Sequence, residues 1–236
     1  MELQEKNGQV GFRYRTCSGT CSSKALKALE PYGVCNLADG THGFYVLTPA
    51  IHSLGVYRKV IGPAVTVEIP PGDNLMVHKA MALIQPGAVL VIKITGEGCA
   101  SACGGIMLRR MQRLGIQAVI VDGYVRDLDE LLQTDMPVFA RGLMPAGCKK
   151  NGLGQINYPI ACGGVVVRPG DIIVADRDGV ICLPEEDVQE VAQRAAEKLQ
   201  KEAQALKNIA EGHLVMENVD EILAQRGLKQ LGGKEG

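Results

Sequence analysis

The chain has 236 residues, of which 46% are hydrophobic and 22% are charged, and its net charge is −1 with a pI of about 6.4. This is ordinary globular composition, with enough apolar material for one domain and an appended arm. The near-neutral balance excludes the strongly basic domain that usually marks nucleic-acid binding, so we expect no nucleic-acid partner.

The sequence also carries information about compartment. The first ten residues, MELQEKNGQV, lack the apolar stretch of a secretory signal, and no apolar run is long enough to span a membrane. We therefore expect a cytoplasmic protein with no membrane partner. The eight cysteines are then expected to be reduced thiols. The pairs Cys17/Cys21 and Cys99/Cys103 are four residues apart, which is not the C-x₂-C spacing of a structural zinc site.

Strand and helix patterns alternate through the first 141 residues. A serine start and a Pro–Gly stop predict a first short helix at 22–33. Runs rich in β-branched residues predict strands, and helical periodicity between breakers predicts helices. The strands are predicted at 59–69, 88–94, 117–122 and 137–141, and the helices between them at 75–84, 106–115 and 128–133. This alternation is typical of parallel βαβ units.

The chain changes character after the last of these strands. Residues 142–159 are predicted to form a long loop. Three short strands joined by tight turns are predicted within 163–183, which indicates antiparallel pairing. A long amphipathic helix follows at 185–208, and a shorter helical segment at 217–227.

Together these elements predict an α/β fold with a mixed, layered sheet. Residues 1–184 would form the α/β domain, and residues 185–236 a C-terminal helical arm. A long amphipathic helix outside a core needs a partner for its apolar stripe. We therefore expect the arm to contact another subunit of a homo-oligomer.

A loop of small residues precedes the helix predicted at 106–115. Gly104 and Gly105 allow the backbone to approach a ligand closely. The helix that follows presents free N–H groups near Ile106 and Met107, and a helix N-terminus is favourable for an anion. The sequence therefore predicts a binding site for an anionic group at this point.

The next predicted strand leads into an adjacent cation and anion, Arg126 and Asp127. Ligands of open α/β sheets bind at the carboxyl ends of strands, where Arg126 can clamp a carboxylate and Asp127 can hold a divalent cation. That pair suits a 2-oxo acid, because the cation polarises the keto oxygen and stabilises an enolate. The alternative is structural: Asp127 favours the helix dipole and Arg126 pairs with Glu130 one turn later.

Several phrases together resemble the RraA-like family. That family includes the 4-hydroxy-4-methyl-2-oxoglutarate / 4-carboxy-4-hydroxy-2-oxoadipate aldolases and the regulator of ribonuclease E activity. The phrases are GPAVTV (62–67), PPGDNLMVHKA (70–80), IVDGYVRDLDEL (120–131), PVFARG (137–142) and GGVVVRPGDIIVADRDGV (163–180). In addition, KEAQALKNIAEG (201–212) resembles the helical arm of the longer aldolase branch. The resemblance implies a β/β/α arrangement like that of swivelling domains.

The resemblance also implies roles for particular residues. Asp127 would ligate Mg²⁺ or Mn²⁺, and Arg126 would bind the pyruvate moiety of a small 2-oxo acid substrate. The backbone amides of Ile106 and Met107 would bind the pyruvate carboxylate. Glu202, on the arm of a neighbouring subunit, would hold metal-bound water. A trimer or a hexamer is the implied assembly.

Position 105 departs from the aldolases, which carry an aspartate there, 21 positions before the arginine. Gly105 with Arg126-Asp127-x-x-Glu130 is instead the pattern of the regulator-type members. Glu97, in the same loop, is a candidate substitute for proton transfer. We expect a metal-dependent lyase, either a class II pyruvate aldolase or an oxaloacetate decarboxylase. The alternatives are a catalytically silent binding protein and a different reaction on a related acid.

Two further features have a structural and a functional interpretation. His78 is expected to be a histidine satisfied within the fold, with proton shuttling as the alternative. Lys149-Lys150 is interpreted as part of a solvated loop, with attraction of an anionic substrate as the alternative.

Overall fold

The computed structural model describes residues 4–16, 21–96, 98, 100–215 and 218–228. The chain forms two units, Met1–Ala196 and Glu197–Gly236. Among the described residues, the first unit contains all the strands and the first five helices. The second contains the end of the long helix and the helix after it.

The strands of the first unit form one large mixed sheet and a separate hairpin. They are β1 (Glu5–Asn7), β2 (Phe12–Arg15), β3 (His52–Ser53), β4 (Val60–Ile69), β5 (Val89–Ile94), β6 (Ala118–Val125), β7 (Val138–Leu143), β8 (Gly154–Ile156), β9 (Ile160–Cys162), β10 (Val165–Val167), β11 (Ile172–Asp176) and β12 (Gly179–Leu183). The sheet order is β1-β2-β8-β4-β5-β6-β7-β3, and β11 pairs with both β4 and β12. The strands β9 and β10 form the hairpin.

Two helices precede the central strands, three alternate with them, and two follow the last strand. They are α1 (Ser23–Leu29), α2 (Val34–Gly40), α3 (Leu75–Met81), α4 (Gly105–Arg113), α5 (Leu128–Leu132), α6 (Val188–Ala210) and α7 (Val219–Gln225). In the described part of the chain, none of them is both long and apolar enough to cross a membrane.

The four central strands, β4 to β7, are parallel and in sequence order. Leu90 of β5 lies between Val65 and Val119, and successive side chains point to opposite faces. Leu90 and Val119 therefore pack on the helical side, whereas Val91 and Ile120 pack against the antiparallel strands. Because both faces are covered, these strands are continuous apolar runs, as the sequence predicted. The predicted α/β class and the layered mixed sheet are confirmed.

A third apolar layer lies outside β11 and β12. It is formed by α1, α2 and the first turns of α6, whose Val188, Val191 and Ala195 are buried there. The beginning of α6 is therefore part of the first unit.

Several elements differ from the sequence-based prediction. The segment predicted as one helix at 22–33 ends at Leu29, and a second helix, α2, was not predicted. The strands β1 and β2 were not predicted either, and β8 lies within the predicted 142–159 loop. These strands have three or four residues each, too few to show alternation clearly.

The strand β6 also runs further than predicted. It continues through Gly123 to Val125, with an irregular register against β7 between Val121 and Tyr124. A Cβ atom at Gly123 would lie 2.8 Å from Cγ1 of Ile94, so the glycine permits close packing here rather than ending the strand. The extra residues carry the chain directly to Arg126.

Candidate active site

A cleft of about 360 Å³ opens at the carboxyl ends of the central strands. Its walls come from the starts of α3 and α4, the β6–α5 junction and the loop around Gly147. Five residues predicted for the site line it together: Gly104, Ile106, Met107, Arg126 and Asp127. A larger cavity of about 730 Å³ lies beside the β1–β2 hairpin and is lined by none of the predicted residues. The predicted constellation therefore belongs to the smaller cleft.

The start of α4 places backbone N–H groups without helical acceptors at the cleft. Gly104 is its N-cap and makes no side-chain capping bond. The intrahelical ladder begins where Leu108 donates to the carbonyl of Gly104, at 3.1 Å. The N–H groups of Ile106 and Met107 precede that ladder and have no acceptor within the helix. They carry the positive end of the helix dipole at the cleft.

Asp127 joins the two halves of the site. Its Oδ2 accepts a hydrogen bond from the backbone N–H of Gly105, at 3.0 Å. Asp127 is the N-cap residue of α5, yet its side chain makes no capping bond to that helix. Asp127 therefore does not cap α5 with its side chain, although its charge lies at the start of that helix, as the structural alternative requires.

The backbone at Asp127 is strained. Its φ of 64° and ψ of 54° are left-handed, a region that costs a non-glycine residue on the order of 1–3 kcal/mol. Such strain clusters at functional sites, where the surrounding structure holds it. Here it turns the chain sharply after β6, so that Arg126 and Asp127 both line the cleft.

Arg126 is held beside Asp127 rather than beside Glu130. Its Nε lies 3.5 Å from Oδ2 of Asp127, and its backbone N–H donates to the carbonyl of Cys103 at 3.1 Å. The side chain remains 43% exposed, which leaves guanidinium donors available to a ligand. Arg126 can therefore bind an anion while its backbone is fixed.

The two glycines also have a packing role that the sequence did not predict. A Cβ atom at Gly104 would lie 2.9 Å from Cγ of Arg126 and would overlap the carboxylate of Asp127. Because Gly104 has no side chain, α4 can come close to the Arg–Asp pair and to a ligand. A Cβ atom at Gly105 would lie 2.7 Å from Cβ of Glu130 and would overlap its carboxylate.

Glu130, which the sequence analysis named as a partner for Arg126 and as part of the regulator-type pattern, lies beside the start of α4 and is exposed. Its carboxylate occupies the space beside Gly105 that a side chain at this position would need. The signal in the sequence was the coincidence of a glycine at 105 with an acid at 130. A carboxylate is thus present at the helix start even though position 105 has no side chain.

Asn74 was also missed as a cleft residue. It is 6% exposed, and its Nδ2 donates to the carbonyl of Ala102 at 2.9 Å. Its Oδ1 is buried and has no hydrogen-bond partner. A buried carbonyl oxygen without a donor is costly, so this atom is a ready acceptor for a hydroxyl group or water in the cleft.

Three basic residues and two thiols also line the cleft. His78, Arg110 and Lys150 line the cleft, so Lys150 is not confined to a solvated loop. Burial, and then the charges of Lys150 and Arg110, lower the pKa of His78. The thiols are those of Cys103 and Cys148; burial raises the pKa of Cys103 to about 12, which keeps it protonated at neutral pH.

A divalent cation in this cleft would have few protein ligands. Among the described residues, no three His, Cys, Asp or Glu side chains form a complete ligand set. Mg²⁺ typically keeps several waters and takes one or two protein carboxylates, so Asp127 fits such a site. Glu202 lies on α6 within the second unit, and its role stays a prediction. Glu97 lies outside the described residues.

Fold and site together define a layered α/β protein in which a helix start and an Arg–Asp pair face one cleft. Comparison with known proteins agrees. The family model described as "RraA-like: Aldolase/RraA" matches residues 34–182. A protein of Halalkalibacterium halodurans, named "Putative 4-hydroxy-4-methyl-2-oxoglutarate aldolase", is 42% identical over 79% of this chain and 81% of its own length. The chain belongs to the RraA-like family.

Solved structures share the fold. A protein from Pseudomonas syringae pv. tomato, described as uncharacterized, has a TM-score of 0.72 at 26% identity and covers 83% of this chain and 92% of its own. A Streptomyces coelicolor protein, described as an unusual member of the RNase ES inhibitor RraA family, has a TM-score of 0.71 at 25% identity, covering 79% of this chain and 98% of its own. The family thus includes relatives named as aldolases and relatives named as inhibitors.

Proposed function

We propose that this chain is a divalent-metal-dependent carbon–carbon lyase acting on 2-oxo acids. It would split a 4-hydroxy-2-oxo acid into pyruvate and a carbonyl compound, or decarboxylate oxaloacetate. The observation that carries the proposal is the Asp127 carboxylate, which lies between the start of α4 and the Arg126 guanidinium in one cleft. Relatives named as aldolases support the same class.

The helix amides, Arg126 and the metal ion act on the 2-oxo acid half of the substrate. The free amides of Ile106 and Met107 bind the carboxylate of the 2-oxo acid. Arg126 stabilises the negative charge that develops on the keto oxygen as the carbon–carbon bond breaks. Mg²⁺ or Mn²⁺ held by Asp127 would supply Lewis-acid polarisation of the keto group.

Two other residues act on the other half of the substrate, which carries the 4-hydroxyl group. Asn74 Oδ1 accepts a hydrogen bond from the 4-hydroxyl group, since it has no other donor. Glu130, beside Gly105, is a carboxylate that can take or return a proton at the helix start. Position 105 itself contributes no acid.

Asp127→Asn tests the proposal, because it removes the carboxylate charge and keeps the shape. We expect pyruvate release from oxaloacetate and from a 4-hydroxy-2-oxo acid to require Mg²⁺ or Mn²⁺ and to stop with EDTA. In Asp127→Asn that release should fall by about 10²-fold or more, in line with the loss of a major electrostatic group. The control is Asp129→Asn, on the first turn of the same helix and exposed. Full metal-dependent activity in Asp127→Asn would refute the role.

A second candidate function is a catalytically silent binding protein. It is favoured by Gly105, which the aldolases replace with an acid, and by structural relatives described as inhibitors of RNA processing. The same assay decides between the two, because a silent protein releases no pyruvate with either metal. A different reaction on a related acid would show metal and acid binding without pyruvate.

A further inference from the structure

We propose that Gly147, in the loop between β7 and β8, is a positioning residue that sets the orientation of the Arg126 guanidinium in the cleft. Two backbone positions without side chains lie along the Arg126 side chain, Gly104 at its stem and Gly147 at its tip. That the bound anion is a 2-oxo acid rests on the proposed function. The positioning role itself rests on the geometry around Arg126.

The tip of Arg126 fills the space that a side chain at position 147 would need. A Cβ atom there would lie 2.5 Å from Nη1, 3.3 Å from Cζ and 3.7 Å from Nη2 of Arg126. These three nearest atoms all belong to the guanidinium, the group that would bind the anion. At Gly104, a Cβ atom would lie 2.9 Å from Cγ and 3.1 Å from Nε of Arg126. The two glycines therefore leave room for the whole length of the arginine side chain.

The loop on either side of Gly147 is tied to one buried residue, Ser101. The carbonyl of Ala146 accepts hydrogen bonds from the backbone N–H of Ser101 at 2.8 Å and from its Oγ at 2.9 Å. The thiol of Cys148 donates to the carbonyl of Ser101 at 3.0 Å. Ser101 is 2% exposed. Because both neighbours of Gly147 are held, the loop resists moving away from Arg126 to make room for a side chain.

Space, rather than backbone conformation, is what requires a glycine at this position. The φ angle of Gly147 is not in the left-handed region, so alanine can adopt the same backbone. The main chain of Arg126 is fixed by its N–H, which donates to the carbonyl of Cys103 at 3.1 Å. The arginine side chain is 43% exposed, so its tip is the part that can turn away from a new methyl group. Its donors would then point in another direction.

The test is Gly147→Ala, and its first measurement is the binding of oxalate by titration calorimetry with Mg²⁺ present. Oxalate is a planar dianion with the shape of the pyruvate enolate. We expect binding to weaken by about 10-fold or more, the usual effect of losing the alignment of one charge-assisted hydrogen bond. The midpoint of urea unfolding should not fall, because only the tip of a flexible side chain has to move.

Arg126→Lys distinguishes positioning of the guanidinium from a general distortion of the loop. Lysine keeps the charge but has no Nη1 atom for a methyl group at position 147 to displace. Adding Gly147→Ala to Arg126→Lys should therefore not weaken oxalate binding further. The matched control is Ala146→Ser, which also adds one heavy atom to this loop, at an exposed position that does not line the cleft. It should bind oxalate as wild type does.

Four results would overturn the positioning role. Wild type does not bind oxalate, Gly147→Ala binds it as tightly as wild type, Gly147→Ala fails to fold, or Gly147→Ala causes the same loss in the Arg126→Lys background. The first three contradict the contact between position 147 and an anion-binding guanidinium. The fourth shows that the loss does not pass through the guanidinium.

Pyruvate release then separates this role from the proposed function. In an active lyase, Gly147→Ala should lower kcat by about 10²-fold, the cost of a misplacement of about 1 Å, with a smaller change in KM. The reason for this difference is that the guanidinium stabilises charge that develops in the transition state. If wild type releases no pyruvate but the oxalate results hold, the proposed function fails and the positioning role stands. If wild type is active and Gly147→Ala matches it in both assays, the function stands and the positioning role fails.

Discussion

The family resemblance implies an aspartate in the aldolases at the position of Gly105, and the surroundings of Gly105 determine what such a side chain would meet. Its φ is not positive, so the backbone accepts a side chain. The obstacle is Glu130, whose Cβ would lie 2.7 Å from a new Cβ. Turning the glutamate side chain does not move its Cβ, so helix α5 itself would have to shift.

We therefore predict that Gly105→Asp is destabilising and does not increase lyase activity. Overpacking of this kind costs about 1–3 kcal/mol of unfolding free energy, which a urea titration would measure. The double variant Gly105→Asp/Glu130→Gly should lose less stability than the two single changes together, because the overlap is then absent. If the stability loss of the double variant equals the sum of the losses in the two single variants, the steric explanation is wrong.

Pyruvate release measured in Glu130→Gln shows whether the Glu130 carboxylate transfers a proton or only occupies space beside Gly105. If the glutamate carboxylate supplies proton transfer, its neutral isostere should slow turnover by about 10²–10⁴-fold. An unchanged rate in Glu130→Gln would show that the carboxylate beside Gly105 is a packing feature only.

At the scale of elements, the central strands are tied together by one buried carboxylate. Asp122 of β6 accepts from Lys93 of β5 at 2.7 Å, from Arg141 of β7, and from the backbone N–H of Gly163 at 3.0 Å. Burial opposes ionisation of Asp122, but these partners outweigh it and lower its pKa. Three neighbouring strands and the β9–β10 turn thus depend on its charge.

Asp122→Asn should therefore destabilise the fold at neutral pH. The loss should be at the lower end of about 3–5 kcal/mol, because Lys93 and Arg141 are partly exposed and can turn to water. A carboxyl group whose pKa is lower in the folded state than in the unfolded state stabilises the fold at pH values above its unfolded pKa. That stabilisation is lost as the pH falls through the folded pKa. The difference between wild type and Asp122→Asn in urea titrations should then shrink below about pH 4. A difference independent of pH would contradict this account.

The elements that the sequence predicted are those with a strong local signal. Helices such as α3 and α4 have clear periodicity and stops, and β5 is a continuous apolar run. By contrast, β8 pairs with β2 and β4, both distant in the chain, so its formation depends on tertiary contacts that no local pattern encodes. The continuation of β6 through Gly123 likewise depends on Ile94 of the neighbouring strand.

At the scale of the whole molecule, the candidate site was predictable only in part. Gly104, Arg126 and Asp127 follow predicted strands, so the topology brings them together. The contributions of Lys150 and Asn74 depend on how the loop before β8 is pinned to the start of α3. That contact joins segments about 75 residues apart, and a single sequence does not reveal it.

The arm presents apolar side chains that the described chain leaves exposed. Leu206 is 67% exposed and Ile209 is 53% exposed, and both lie on the part of α6 that belongs to the second unit. An apolar stripe of this kind needs burial, and a second copy of the chain would provide it. We therefore predict a homo-oligomer in which the arm is an interface, and the family resemblance implies a trimer or a hexamer.

Deleting residues 197–236 should lower the mass measured by light scattering and leave the first unit folded, because its sheet and three apolar layers lie within Met1–Ala196. Leu206→Glu should have the same effect on mass, since it places a charge within the stripe. Lys207→Glu is the matched control: it also introduces an acid, on a neighbouring position of the same helix, and should leave the assembly intact. A wild-type protein that is monomeric at micromolar concentration would refute the interface, and with it the cross-subunit role predicted for Glu202.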